Sequence, residues 1–156
     1  MAVGTVSALE PNQWQLISSA AATSQTEVTF SSLTGYKQYR IVYYRTGVSN
    51  DIWLRFNGDT GTNYFSNSTR GSSNGSISTT YLQINTVNTS TAVSYQGYID
   101  VFNADKPIEK TAEGHGGYYM GNVYGGWSNA AVITSITFGS TASMSEGTVK
   151  LYGIAS

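Results

Sequence analysis

Apolar residues in this chain recur at every second position rather than at helical spacing. Ile52, Leu54 and Phe56 alternate with Trp53, Arg55 and Asn57, and Gly58-Asp59 closes the run. Side chains of an extended strand point to opposite faces in turn, so this pattern is that of strands with a buried face. The same alternation, built from Val, Ile, Thr and Tyr, predicts strands over 38–45, 81–87, 93–102, 130–138 and 148–154. Shorter strands are predicted over 14–17, 27–30, 64–67 and 117–124. In 38–45, Tyr39, Ile41 and Tyr43 take one face while Val42 and Tyr44 take the other. A strand apolar on both sides suits the centre of a sheet or a surface under a partner subunit. Only Ala20-Ala21-Ala22 hints at helix, and its Ser and Thr neighbours dilute the signal.

Between the runs stand Gly47-Val48-Ser49-Asn50, Asn57-Gly58-Asp59-Thr60-Gly61 and Gly71-Ser72-Ser73-Asn74-Gly75. These residues tolerate positive φ or bond their side chains to nearby backbone, which is turn chemistry. Many short strands with regular turns predict an all-β fold, a single antiparallel β-sandwich, jelly-roll-like, with about eight to ten strands. A length of 156 residues suits one domain, and neither a repeat nor a linker divides it. Residues 1–13 are expected as an N-terminal arm or edge segment and 14–156 as the sandwich.

Composition removes several classes of function. With no cysteine, disulfide scaffolds, thiol catalysis and Cys-based zinc sites are excluded. Eight Lys and Arg against nine Asp and Glu leave no basic excess to neutralise phosphates, so no nucleic-acid partner is expected. Aromatic residues reach 13%, twelve of them Tyr, which separates this polar-coated chain from disordered ones. No stretch approaches the ~18 apolar residues of a membrane helix, and the residues after Met1 lack the basic start of a signal peptide. The expectation is a soluble, uncleaved product. The glycosylation triplets beginning at Asn67, Asn74 and Asn88 follow from the Ser/Thr/Asn-rich composition.

Few residues carry the pattern of a reactive site. Asp59-Thr60-Gly61 matches the aspartic-protease triplet, but Asn57-Gly58 in front of it point to a hairpin turn. Asn57, Asp59 and Asn63 offer alternating oxygen ligands as a calcium loop does, without the bidentate Glu farther on. His115 is the only histidine and has no nucleophile motif, so it reads as a loop residue with no catalytic role. Asp100, Asp105, Glu109 and Glu113 could supply paired carboxylates for glycoside hydrolysis, but interleaved Lys106 and Lys110 favour a solvated charged loop. No metal, no cofactor and no enzymatic activity are expected.

The aromatics say more. Tyr118, Tyr119, Tyr124 and Trp127 lie within ten residues, separated by glycines and accompanied by Asn122 and Asn129. Rigid amphipathic rings of this kind pack at the end of a sandwich, form a subunit interface or stack sugars, with Asn122 bonding hydroxyls. Tyr39, Tyr43, Tyr44 and Trp53 exceed what one small sandwich needs inside, and are candidates for an oligomer interface.

Trp14-Gln15-Leu16-Ile17, Leu54-Arg55-Phe56-Asn57-Gly58-Asp59 with Gly61 and Asn63-Tyr64, Ala131-Val132-Ile133-Thr134-Ser135-Ile136, and Leu151-Tyr152-Gly153-Ile154 occur in that order. Together they resemble small β-rich virion proteins of tailed bacteriophages, including those infecting cyanobacteria. The similarity spans nearly the whole chain, through strand and turn signatures that are specific only as a set. It implies a jelly-roll-like sandwich, a homotrimer, displayed on the particle after synthesis in the host cytoplasm, with no catalytic residues to transfer. A first strand at Trp14 leaves no room for a fibre shaft. That favours a capsid decoration or cement protein bound to the major capsid protein. Val3, Val6 and Leu9 are then candidates for an arm that orders on docking. The competing expectation is a tail-fibre or adhesin domain that recognises host surface glycan.

Overall fold

A computed structural model of the chain describes residues 12–48, 51–70, 73–76, 80–85, 93–116 and 121–156. The arm candidates Val3, Val6 and Leu9, and Tyr118 and Tyr119, lie outside the described residues. Among the described residues there are twelve strands: β1 (Gln15–Ala21), β2 (Gln25–Phe30), β3 (Tyr36–Val48), β4 (Ile52–Phe56), β5 (Tyr64–Arg70) and β6 (Ser73–Ser76), then β7 (Leu82–Asn85), β8 (Val93–Phe102), β9 (Lys110–Gly116), β10 (Gly121–Trp127), β11 (Ile136–Met144) and β12 (Thr148–Ala155). They form an eight-stranded sheet, β1-β12-β3-β8-β9-β10-β5-β6, and a four-stranded sheet, β2-β11-β4-β7. All of the pairings are antiparallel.

The chain is an all-β sandwich wound as a jelly roll. Outgoing strands pair with returning ones in nested order, β1 with β12, β2 with β11, β3 with β8 and β4 with β7. Apart from β4 and β7 at the turn-back, successive strands of this set alternate between the sheets, which rolls a long hairpin into two layers. The strands beyond the expected number come from two hairpins, β5–β6 and β9–β10, inserted into the roll. Both extend the sheet that contains β8.

The alternation selects the core. Tyr39, Ile41 and Tyr43 of β3, Ile99 and Val101 of β8, and Val149 and Leu151 of β12 face Val28 and Phe30 of β2, Ile52, Leu54 and Phe56 of β4, and Ile136 and Phe138 of β11. The rings of Tyr43 and Phe138 meet at 5.4 Å between their centroids and tie the layers together. Full burial of one such side chain is worth about 1.5–3 kcal/mol.

Several segments differ from expectation; the turn expected at 71–75 contains β6 (Ser73–Ser76), and β9 (Lys110–Gly116) lies where loop was expected. Ala20 and Ala21 end β1 instead of forming helix, because the ladder to Val149 and Thr148 takes their backbone groups. The predicted strand over 130–138 begins only at Ile136. Before it the alternation persists, with Val132 exposed and Ile133 buried, but Ile133 N–H donates to Ala104 and Leu33 N–H to Thr134, outside any ladder. The acidic stretch is not one loop, since Asp100 lies in β8 and Glu113 in β9.

Candidate functional site

Asn57 and Asp59 hold one end of the sandwich together. Asn57 sits at positive φ (53°) and Gly58 follows at 66°, which turns the chain sharply after β4. The Asn57 Oδ1 accepts from the N–H of Thr134 (2.7 Å) and of Ser135 (3.1 Å), while its Nδ2 donates to the Val132 carbonyl (2.8 Å). Asp59 Oδ1 accepts from Gly61 N–H at 2.7 Å, and Oδ2 accepts from Asn63 Nδ2 (2.8 Å) and Trp127 Nε1 (2.6 Å). The hydrogen bond from Asn63, followed by those from Trp127 and Gly61, holds the Asp59 carboxyl below the usual carboxylate range despite partial burial. Tyr64 stands beside them, its hydroxyl bonded to the backbone of Phe56 and Asp59, and burial pushes this phenol up to about 12.

These partners explain the Asn57-to-Tyr64 pattern as a staple. Both Asp59 oxygens have protein donors, so the triplet has the turn role expected of it. Among the described residues no group of three or more His, Asp or Glu is arranged to hold a metal ion. Trp127 is buried against Phe56 and Tyr64, which removes it from the exposed aromatic set with Tyr124. Nearby, the wholly buried Lys110 donates its amine to the carbonyls of Lys106 (2.9 Å), Ile108 and Asn129 (3.4 Å). Desolvation lowers its pKa.

Of the four oligomer-interface candidates, Tyr39 and Tyr43 are core residues. Trp53 is buried on the outer side of the four-stranded sheet, stacked on Tyr81 at 5.6 Å and capped by Arg55 at 4.4 Å. Only Tyr44 is open, at 58% exposure, so the four do not form a shared surface. Alternation alone does not tell a ring under the opposite sheet from one under a subunit.

The outer face of the eight-stranded sheet gathers the remaining polar and aromatic groups. Register places Val42, Tyr98, His115 and Asn122 in one row across β3, β8, β9 and β10. Arg40, Asp100, Glu113 and Tyr124 form the neighbouring row on the same strands. Four strands at the usual spacing make a face roughly 14 Å wide. Asp100 takes Arg40 in a two-pronged pair, Nε to Oδ1 and Nη2 to Oδ2, both at 2.6 Å. The guanidinium lies between Trp14 (4.5 Å) and Tyr98 (4.7 Å), which fixes the Tyr98 ring. His115 Nδ1 meets Asn122 Oδ1 at 2.9 Å.

Two hollows open on this face. One, of ≈ 380 Å³, lies beside the bulge in β3 between Tyr43 and Thr46 and is walled by Tyr44, Tyr98, Gln96 and His115. The other, of ≈ 290 Å³, is lined by Tyr98, Glu113, His115, Asn122 and Tyr124. Tyr98 and His115 belong to both. Tyr98 is 40% exposed and Tyr124 52%. Sequence reasoning identified Tyr124 and Asn122 but missed Arg40, Tyr98 and Glu113 as their neighbours, and took His115 for a loop residue although it lies in β9. The one available signal was the outward half of the alternation in β8, Gln96, Tyr98 and Asp100.

Two of the four carboxylates weighed for hydrolysis have other partners. Both Asp100 oxygens bond Arg40, and Glu109 accepts from Ser128 Oγ at 2.7 Å.

Neither a protein-family model nor a curated protein matches this chain.

Proposed function

We propose that the chain is a structural protein of a bacteriophage virion: a decoration or cement protein that binds the outer face of the capsid shell as an oligomer, without enzymatic activity. The observation that carries this reading is the use made of the segments behind the resemblance. Asn57, Asp59, Tyr64, Ile133, Ile136 and Leu151 serve the sandwich through turns, staples and core contacts. In this reading those segments specify a scaffold, which is what a particle component needs. Trp14 stacks on Arg40, so the chain enters the sandwich on the outer side of the eight-stranded sheet. In this reading the segment before it, with Val3, Val6 and Leu9, docks on the major capsid protein. The deciding experiment is electron cryo-microscopy of the intact particle with this chain located in the density. Copies spread over the icosahedral shell support decoration, and absence from the particle overturns it.

A second reading, a tail-fibre or adhesin domain that recognises host glycan, is favoured by the exposed Tyr98, Tyr124 and Asn122 on one sheet face. Copies confined to the tail, with attachment of the soluble protein to host cells, are its expected result.

A further inference from the structure

We propose that the two adjoining hollows on the outer face of the eight-stranded sheet are consecutive subsites for a neutral glycan, sharing Tyr98 and His115 as their common wall. The ligand class rests on the glycan-recognition reading; the place and the preference for an uncharged sugar come from the geometry. The smaller hollow is lined by two phenol rings, an imidazole, an amide, a carboxylate and Gly114, with no aliphatic side chain. Rings stack on the C–H faces of a pyranose, while amide and carboxylate groups pair with its hydroxyls. At ≈ 380 and ≈ 290 Å³ the hollows stand near the lower end of small-ligand sites, about 300–1,000 Å³.

Charge argues against an anionic ligand. Arg40 is held by Asp100 through both prongs. Lys150, in register with Val42, and Glu113, in register with Asp100, add one charge of each sign to the face. The face thus carries two cations and two carboxylates.

The second line of argument is the floor of the larger hollow. Tyr43 is 1% exposed, and among the described residues its hydroxyl has no hydrogen-bond partner. It lies against Gly97 and Gly116, where an added Cβ would come within 2.6 and 2.5 Å of it. Tyr43 and both glycines line the larger hollow. On the core side Tyr43 fills the space that side chains at Gly97 and Gly116 would take, so the floor of the larger hollow is backbone there.

The test is titration of the full ¹⁵N-labelled protein with methyl glycosides of glucose, galactose, mannose and N-acetylglucosamine, then with maltose, cellobiose and lactose. The expected result is amide shifts confined to Tyr44, Gln96–Tyr98, Gly114–Gly116 and Asn122, with a disaccharide binding about tenfold tighter than its monosaccharide. Tyr124→Ala removes an exposed ring of the smaller hollow and is expected to weaken binding about three- to tenfold without lowering the melting temperature. Tyr44→Ala removes a ring that is open to solvent and is expected to weaken binding at the larger hollow, while Val132→Ser on a distant loop leaves binding unchanged. Absence of shifts with every sugar, or shifts elsewhere, overturns the inference. If the sugars fail while the protein still attaches to host cells, the subsites fall and the receptor reading stands. If they bind but no attachment occurs, the subsites stand and that reading falls.

Discussion

Trp127 donates its indole N–H to Asp59 Oδ2 across 2.6 Å, joining the end of β10 to the turn that follows β4. One element belongs to an inserted hairpin and the other to the roll itself. This bond is therefore a clasp between the scaffold and its insertion. Replacing Asp59 with Ala leaves the indole N–H, the Gly61 N–H and the Asn63 amide without their acceptor. We expect a loss of about 3 kcal/mol in urea unfolding. A change within ~0.5 kcal/mol would show that water replaces the carboxylate at no cost.

The same carboxylate predicts acid sensitivity. Its folded pKa is depressed, chiefly by the hydrogen bond from Asn63. Such a group stabilises the fold fully above the ordinary carboxylate value of about 4, and this contribution is lost as pH falls through the lower folded value. Asp59→Asn is expected to be less stable than the native protein at neutral pH and to show a shallower decline on acidification. Parallel melting curves from pH 6 to about pH 2 check the slope.

Arg40 is expected not to tolerate lysine. An ammonium keeps the charge but loses one prong to Asp100 and the flat stack between Trp14 and Tyr98. Arg40→Lys should cost about 1–3 kcal/mol and loosen Trp14. Chemical denaturation gives the first quantity, and quenching of tryptophan fluorescence by acrylamide reports the second.

Gly139 predicts a steric limit on the opposite sheet. A Cβ there would stand 2.3 Å from the Trp53 ring, which covers the β11 backbone. Gly139→Ala should displace the indole from its stack on Tyr81, at a cost of about 1–3 kcal/mol. A red shift in emission and a lower melting temperature are expected together. Unchanged emission would mean that the strand, rather than the ring, gives way.

The oligomer is the fifth expectation. Light scattering of the purified chain should give the mass of three copies under the decoration reading. A monomer at micromolar concentration would move the assembly step onto the capsid surface.

Alternation along the chain was sufficient for the fold class. A period of two over Ile52–Phe56 or Val93–Phe102 permits only a strand, and a chain of such strands buries its apolar faces only as layers. The Asn57-to-Tyr64 turn was legible for the same local reason, since positive φ and side-chain-to-backbone bonding are properties of the residues themselves. What lay beyond the sequence was everything that depends on register. Tyr43 and Tyr44 are neighbours with the same side chain, yet one is core and the other open, because only pairing with β8 and the opposing sheet sets which face is inside. β9, with two glycines and Thr111 as its one branched residue, announces a strand weakly and is held by its partners β8 and β10. The candidate site is wholly of this second kind. Tyr98, His115 and Asn122 come from three strands, and hydrogen-bonded ladders between distant segments bring them into one row.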